Sequence, residues 1–166
     1  GDAERVVCMS STHIAMLDAI GAVESVVGVS GKDFITNPYI IANQHVIPDI
    51  GYDGNMNFEL LVAQRPDIVL LFGVTGACVM ESKLDELGIP YMYIGEYVEE
   101  DPLGKTEWLI AIAEIVGCRK HGITYFSEVP KRYEHLKSLA ASAQTPTPNV
   151  LINTPYADTW NMASAT

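Results

Sequence analysis

Short apolar runs recur along the chain at Val6 to Met9, Ser25 to Val29, Ile68 to Phe72, Tyr91 to Ile94 and Val150 to Ile152, each rich in Val, Ile or Tyr. Runs of that length without alternation predict strands buried on both faces. Between them the apolar positions fall at helical spacing: Ile14, Leu17 and Ile20 ended by Gly21, then Met80, Leu84 and Leu87 ended by Gly88 with Pro90 beyond. Asn57 is placed to cap a further helix through Phe58, Leu60 and Leu61, which Pro66 stops before the next strand. Strand and helix alternate, so the pattern predicts an α/β fold: a Rossmann-like lobe with a parallel sheet wound by helices.

Residues 32 to 56 break the alternation. Asn37-Pro38, Pro48-Asp49 and the Gly51 to Asn55 stretch read as turns around at most one short helix near Ile40. Further on, Leu109, Ile112, Ala113 and Val116 predict a helix up to Gly117. A longer one follows through Phe126, Val129, Tyr133, Leu136 and Ala140, kinked at Pro130, its outer face mixing both signs of charge. Ser142 to Pro148 is a Ser/Thr/Pro connector, Val150 opens a new strand, and Asp158 to Asn161 would open another helix. The expected organisation is an N-terminal α/β lobe at 1–118, a connecting helix and linker at 119–148, and the first strand and loop of a second, truncated α/β lobe at 149–166.

Composition narrows the function classes. The 166 residues are 48% hydrophobic and 19% charged, with mean hydropathy +0.15, values of a globular chain. No apolar run approaches the roughly 18 residues that cross a bilayer. Ten basic against 21 acidic side chains give a formal charge of -11, which repels a phosphate backbone and argues against a nucleic-acid partner. Cys8, Cys78 and Cys118 form no C-x-x-C and read as core thiols. No charged-then-apolar leader precedes Arg5, and Gly1 fits a scar of tag removal, as expected of a mature form whose export signal is gone.

Several stretches, in order, resemble the substrate-binding proteins of ABC importers for iron complexes, haem and cobalamin, whose two lobes are joined by one long helix. They are Arg5 to His13 running into Leu17 to Gly21, Val26 to Val29, Ile47-Pro-Asp-Ile-Gly51, Asn57-Phe-Glu59, Pro66 to Leu70, Leu87 to Pro90 and Trp108 to Gly117. The resemblance covers the chain to about Asn161. It implies a linking helix from about Lys120 to Ala143, a second lobe from Val150, and a ligand held between lobes: an iron complex such as a siderophore or haem, or cobalamin. It also implies a non-enzyme without a cofactor of its own, acting in the periplasm or on the outer face of the cytoplasmic membrane. A lipid anchor and docking to a membrane permease through acidic surface residues belong to the same expectation. The glutamate of its helix-start motif, here Glu59, would pair with a permease arginine; a carboxylate in a first helical turn also complements the helix dipole.

In an open parallel sheet ligands lie beyond the carboxyl ends of the strands, which selects the loops just after each strand. Ser10, Ser11 and Thr12 would cap the first helix and aim its N–H groups at an anionic ligand group. His13 would face solvent or ligate a metal or haem iron. Tyr52, Tyr97, Tyr156 and Trp160 offer flat faces to a macrocycle or catecholate, although a chain with eight tyrosines also places them in ordinary packing. Gly73 and Val74 sit in a turn that lets the chain pass close to ligand. Phe72 reads as core, and Glu99-Glu100-Asp101 as a solvated loop or part of an acidic docking surface.

Two other readings stay open. Capture of a bare zinc or manganese ion by a related importer would need three or four ligands, of which His13 and Asp158 are candidates. A small α/β hydrolase would use Ser10 or Ser11 with His13, yet the chain has neither G-x-S-x-G nor G-x-G-x-x-G. A lobe with an exposed half-cleft predicts self-association.

Overall fold

The computed structural model of the chain describes residues 1–52, 54–72, 79–143, 148–150 and 159. Contacts divide the chain into two compact units, Gly1–Tyr133 and Glu134–Thr166.

The first unit is a doubly wound α/β lobe. Four strands, β1 (Val6–Cys8), β2 (Val26–Val29), β3 (Ile68–Leu71) and β4 (Tyr91–Tyr93), form one parallel sheet in the order β2-β1-β3-β4. Each occupies an apolar run of the sequence, because a strand covered on both faces needs apolar side chains on both. Val6, Cys8, Leu70 and Met92 face one core with helices α1 (Ser11–Ala19) and α5 (Pro102–Ile115). Val7, Val69, Leu71 and Tyr93 face the other, with α3 (Phe58–Ala63) and α4 (Val79–Leu87). The short helix α2 (Pro38–Ala42) adds Ile40 to the first core. Opposite faces for α1 and α4 follow from right-handed crossovers that leave the sheet centre in opposite directions.

The helix stops are chemical. α1 ends before Gly21 at φ 73°, α4 before Gly88 at φ 66° and α5 before Gly117 at φ 71°, a backbone region glycine enters without steric cost. Asn57 Oδ1 accepts the Leu60 N–H at 2.9 Å and so caps α3.

The 32–56 stretch is less open than its turns suggest. Val29 and Asp49 pair as an isolated parallel bridge, with Ile50 N donating to the Val29 carbonyl at 2.7 Å, so residues around Asp49 extend the sheet beyond β2. Asp49 ties that edge together: its carboxylate accepts the N–H groups of Gly31 (3.3 Å), Lys32 (2.8 Å) and Gly51 (2.9 Å). Gly51 is at φ 88°, and a Cβ there would run into the Asn55 carbonyl. This is the physical content of the Pro-Asp-Ile-Gly segment.

Helix α6 (Arg119–Ser142) runs through Pro130. Within the first unit, Gly122 lets it approach α5, where a Cβ would stand 2.5 Å from Ala113 Cβ. In the second unit, its last turns expose Leu136 and Leu139, and Lys137 meets Glu134 at 3.6 Å. Of the proposed second lobe's first strand, only Val150 is described; Leu151 and Ile152 lie outside the described residues.

Candidate functional site

The strand order locates the crevice. The chain leaves β1 toward β2 on one side and passes from β3 to β4 on the other, so the carboxyl ends of β1 and β3 flank the topological switch point. All strands are parallel, so the segments following each of them meet at one sheet edge.

After β1, Ser10 takes the N-cap position of α1, its Oγ accepting the Thr12 N–H at 3.3 Å. Ser10 Oγ and Thr12 Oγ1 are 2.8 Å apart, and Thr12 Oγ1 donates to Glu96 Oε1 in the segment after β4. Thr12 has one hydroxyl proton, so Ser10 is the donor to Thr12 in a relay Ser10, Thr12, Glu96. The relay passes over the end of β3, the strand lying between β1 and β4. Glu96 is only 5% exposed, and its Oε2 has no hydrogen-bond partner among the described residues. The residue type that draws attention in this segment is Tyr97 rather than its neighbour Glu96. A carboxylate directly after a strand and a glycine, Ile94-Gly95-Glu96, was the available signal.

Ser10 caps α1 as its residue type predicts, and the first turn of the helix reaches Glu96 through the Thr12 hydroxyl. Ser11 is exposed on the first turn.

His13 is not a surface residue. Its ring is fully buried, because α1 turns that position inward together with Ile14 and Leu17. Burial pushes the imidazole down to about 4, and the Leu70 carbonyl offsets part of that shift without meeting hydrogen-bond geometry. Neither ring nitrogen has a hydrogen-bond partner among the described residues. The serine–histidine pair that the spacing raised is therefore not formed, and the ring is withdrawn from any external metal. Among the described residues no three His, Cys, Asp or Glu side chains gather as a metal site.

The aromatic candidates divide. Tyr52 is 65% exposed and borders a hollow of about 300 Å³ with Gly31, Asp49, Asn55 and Asn57, at the tips of β2 and the Asp49 bridge. Tyr97 packs against Phe72, ring centroids 4.5 Å apart and tilted by 56°, so the tips of β3 and β4 share an aromatic pair. Phe72 is half-buried there rather than part of the closed core. Gly73, Val74, Tyr156, Trp160 and Asp158 lie outside the described residues.

Glu59 is exposed in the first turn of α3, on the face of the sheet opposite α1. The Glu99 to Asp101 run is mostly local structure. Glu99 Oε1 accepts the Trp108 indole N–H at 3.0 Å, and Asp101 caps α5 through the Leu103 N–H at 2.6 Å, leaving Glu100 exposed. Cys8 is buried, which pushes its thiol well above the usual range; Cys118 is half-buried and free. A larger hollow of about 640 Å³, not foreseen from the sequence, runs beside α1 between Ser11, Asp18, Phe34, Asn37 and Tyr125. It follows the flank of α1 and reaches Ser11 and Thr12 at the helix's first turn.

Comparison with known proteins places this lobe. An uncharacterized lipoprotein of Methanocaldococcus jannaschii is 31% identical over 134 residues, 75% of this chain and 32% of its own length. An uncharacterized protein of the same organism is 28% identical over 122 residues, 70% of this chain and 37% of its own. The chain thus spans about a third of the length of these relatives. Among solved structures, a periplasmic heme binding protein from Pseudomonas aeruginosa superposes with a TM-score of 0.70 at 20% identity, over 86% of this chain and 48% of that one. The periplasmic vitamin B12 binding protein of Vibrio cholerae does so at 0.63 and 18% identity, over 84% and 52%. At those identities the likeness is one of fold. The family model for periplasmic binding proteins matches residues 6–162, and the chain belongs to that family.

Proposed function

We propose that this chain is part of an extracytoplasmic solute-binding component of an ABC importer, which captures an iron complex (a siderophore or haem) or cobalamin between two lobes and delivers it to a membrane permease. The observation that carries the reading is the convergence of Thr12, Tyr52, Phe72 and Tyr97 at the carboxyl edge of one doubly wound sheet. A face with aromatic rings at several strand tips suits a flat or globular ligand far better than a small ion. The structural neighbours from Pseudomonas aeruginosa and Vibrio cholerae, a heme and a vitamin B12 binding protein, support the same class.

On this reading residues 1–118 form one wall, the helix that includes α6 is the link, and the chain from residue 149 begins the opposing wall, with Gly73, Val74, Tyr156 and Trp160 as further candidate ligand contacts. Two lobes joined by one stiff helix close by a small hinge motion. Glu59, exposed in the first turn of α3, docks the permease by pairing with an arginine. The protein works in the periplasm or on the outer face of the cytoplasmic membrane, and a relative named a lipoprotein supports an anchored form. No helix among the described residues is long and apolar enough to cross a membrane. The reading is tested by titrating the natural full-length chain with haemin, ferric siderophores and cyanocobalamin, followed by absorbance and tryptophan fluorescence. Saturable binding of one of them supports it, and binding of none overturns it.

A further inference from the structure

We infer that the hollow beside α1, walled by Asp18, Phe34 and Tyr125, is a second binding site and takes an organic cation with an apolar body, such as a quaternary ammonium carrying an aromatic group. The inference stands apart from the capture reading: it concerns the flank of α1 and a ligand unlike the cargo of the strand-tip crevice.

Three elements of the first unit build the hollow. Ala15, Asp18 and Ala19 line it from α1. Phe34 comes from the turn after β2, where the chain buries Ile35 and leaves the Phe34 ring 84% exposed. That turn is braced, with the Phe34 N–H donating to the Gly31 carbonyl at 2.9 Å and Asp49 holding the N–H groups of Gly31 and Lys32. Tyr125 comes from α6, about one turn beyond the close approach of that helix to α5 at Gly122, and is exposed. Walls fixed in this way need little ordering when a ligand enters. The volume of about 640 Å³ is in the range that holds a small organic molecule.

The chemistry of the lining selects the ligand. Asp18 is the one charged side chain lining the hollow, and its carboxylate enters none of the ion pairs among the described residues. Lys32, two residues before Phe34, spends its ammonium on the carbonyls of Gln44 (2.6 Å) and Ile47 (3.1 Å) and lines no part of it. Other polar groups there are already used: Asn37 Oδ1 accepts the N–H groups of Tyr39 and Ile40, and the Thr12 hydroxyl lies between Ser10 and Glu96. Phe34 and Tyr125 stack on no other ring among the described residues, so ring surface of both stays open to a cation. One carboxylate with two such rings matches a weakly hydrated cation with an apolar rim. A hard metal ion would need several more oxygen ligands. The surplus of acid over base in the chain draws cations toward the surface in general.

The test is titration of the natural full-length chain with benzyltrimethylammonium and with dimethylbenzylcarbinol, a neutral molecule of nearly the same shape, followed by backbone amide NMR. The cation should give saturable shifts at Ala15 to Ala19, Phe34 to Asn37 and Tyr125, and the carbinol should bind about fivefold or more weakly. Asp18→Asn should bring the two within about twofold of each other, and Phe34→Ala should weaken the cation by about fivefold or more. Both side chains are exposed, so both variants should melt close to the parent. Should either variant not fold, the other and the cation-to-carbinol ratio of the parent decide. No saturable shift at about 10 mM cation, shifts confined to Tyr52 and Gly95 to Tyr97, a carbinol that binds as tightly, or a preference unchanged in Asp18→Asn each overturns the inference. None of these outcomes bears on whether haemin or cyanocobalamin binds at the strand tips, so the two readings fail separately.

Discussion

Thr12, in the first turn of α1, and Glu96, just beyond β4, are hydrogen-bonded across the end of β3, joining two segments that are 84 residues apart in the chain. The bond fixes one side of the crevice at the switch point and gives Glu96 its one hydrogen bond among the described residues. Replacing Thr12 by valine keeps the shape and removes the donor. With both carboxylate oxygens then unpartnered, the chain should lose about 1–3 kcal/mol of stability in urea unfolding, whereas Thr12→Ser should stay near the parent. Equal stability for Thr12→Val and Thr12→Ser would contradict the assigned bond.

His13 makes stability depend on pH. Burial holds its folded pKa at about 4, below the 6.5 of the free side chain. Between those values the unfolded chain binds more protons, so stability rises with pH across this window. The contribution is complete above pH 6.5, declines as pH falls toward about 4, and changes no further below that, a loss of up to about 3 kcal/mol. Thr12 precedes it on α1, and the Leu70 carbonyl is the group that favours its protonation. Melting temperatures from pH 4 to 7 should show the decline in the parent and a much flatter profile in His13→Phe. Identical profiles would place the titration elsewhere.

Most strands and helices were legible because they follow from periodicity and punctuation. Four apolar runs became the four parallel strands, and Gly21, Gly88 and Gly117 stopped the helices they follow. The region of residues 32 to 56 was harder, because the Val29–Asp49 bridge depends on main-chain pairing that leaves no periodic trace. The site was legible only as a set of loops. Ser10 capping α1 could be anticipated from residue type, but the burial of His13 depends on which side of α1 meets the sheet, and the Thr12–Glu96 bond depends on strand order. Phe72, read as core, is half-buried because Tyr97 stands against it at the sheet edge.

Gly122 tests the approach of α6 to α5. Glycine to alanine inside a helix gains up to about 1 kcal/mol in propensity, but here the new methyl would meet Ala113 Cβ at 2.5 Å. Overpacking should prevail, and Gly122→Ala should destabilise by about 1–3 kcal/mol, with Gly122→Leu worse. A stabilised Gly122→Ala in thermal unfolding would show that the helices separate freely.

Asp49 carries three N–H groups from Gly31, Lys32 and Gly51. Asp49→Ala should cost about 1–3 kcal/mol and loosen the Tyr52 loop, visible as faster hydrogen exchange at Gly31, Lys32 and Gly51. Unchanged exchange at all three would mean that the carboxylate does not hold the edge.

Glu59 separates capture from delivery. It is exposed on the opposite face of the sheet from α1 and does not line the Tyr52 hollow. Glu59→Lys should leave ligand affinity within about twofold and lower ligand uptake in cells carrying the cognate permease by about tenfold or more. Impaired ligand binding, or unimpaired uptake, would remove the docking assignment.

The most direct measurement is hydrogen exchange of the natural full-length chain with and without saturating haemin or cyanocobalamin, whichever binds. Protection is expected at Ser10 to Thr12, around Tyr52 and at Gly95 to Tyr97, the segments that follow the strands. Protection confined to the flank of α1 near Asp18, Phe34 and Asn37, or found nowhere in this lobe, would contradict the placement of the ligand at the strand tips.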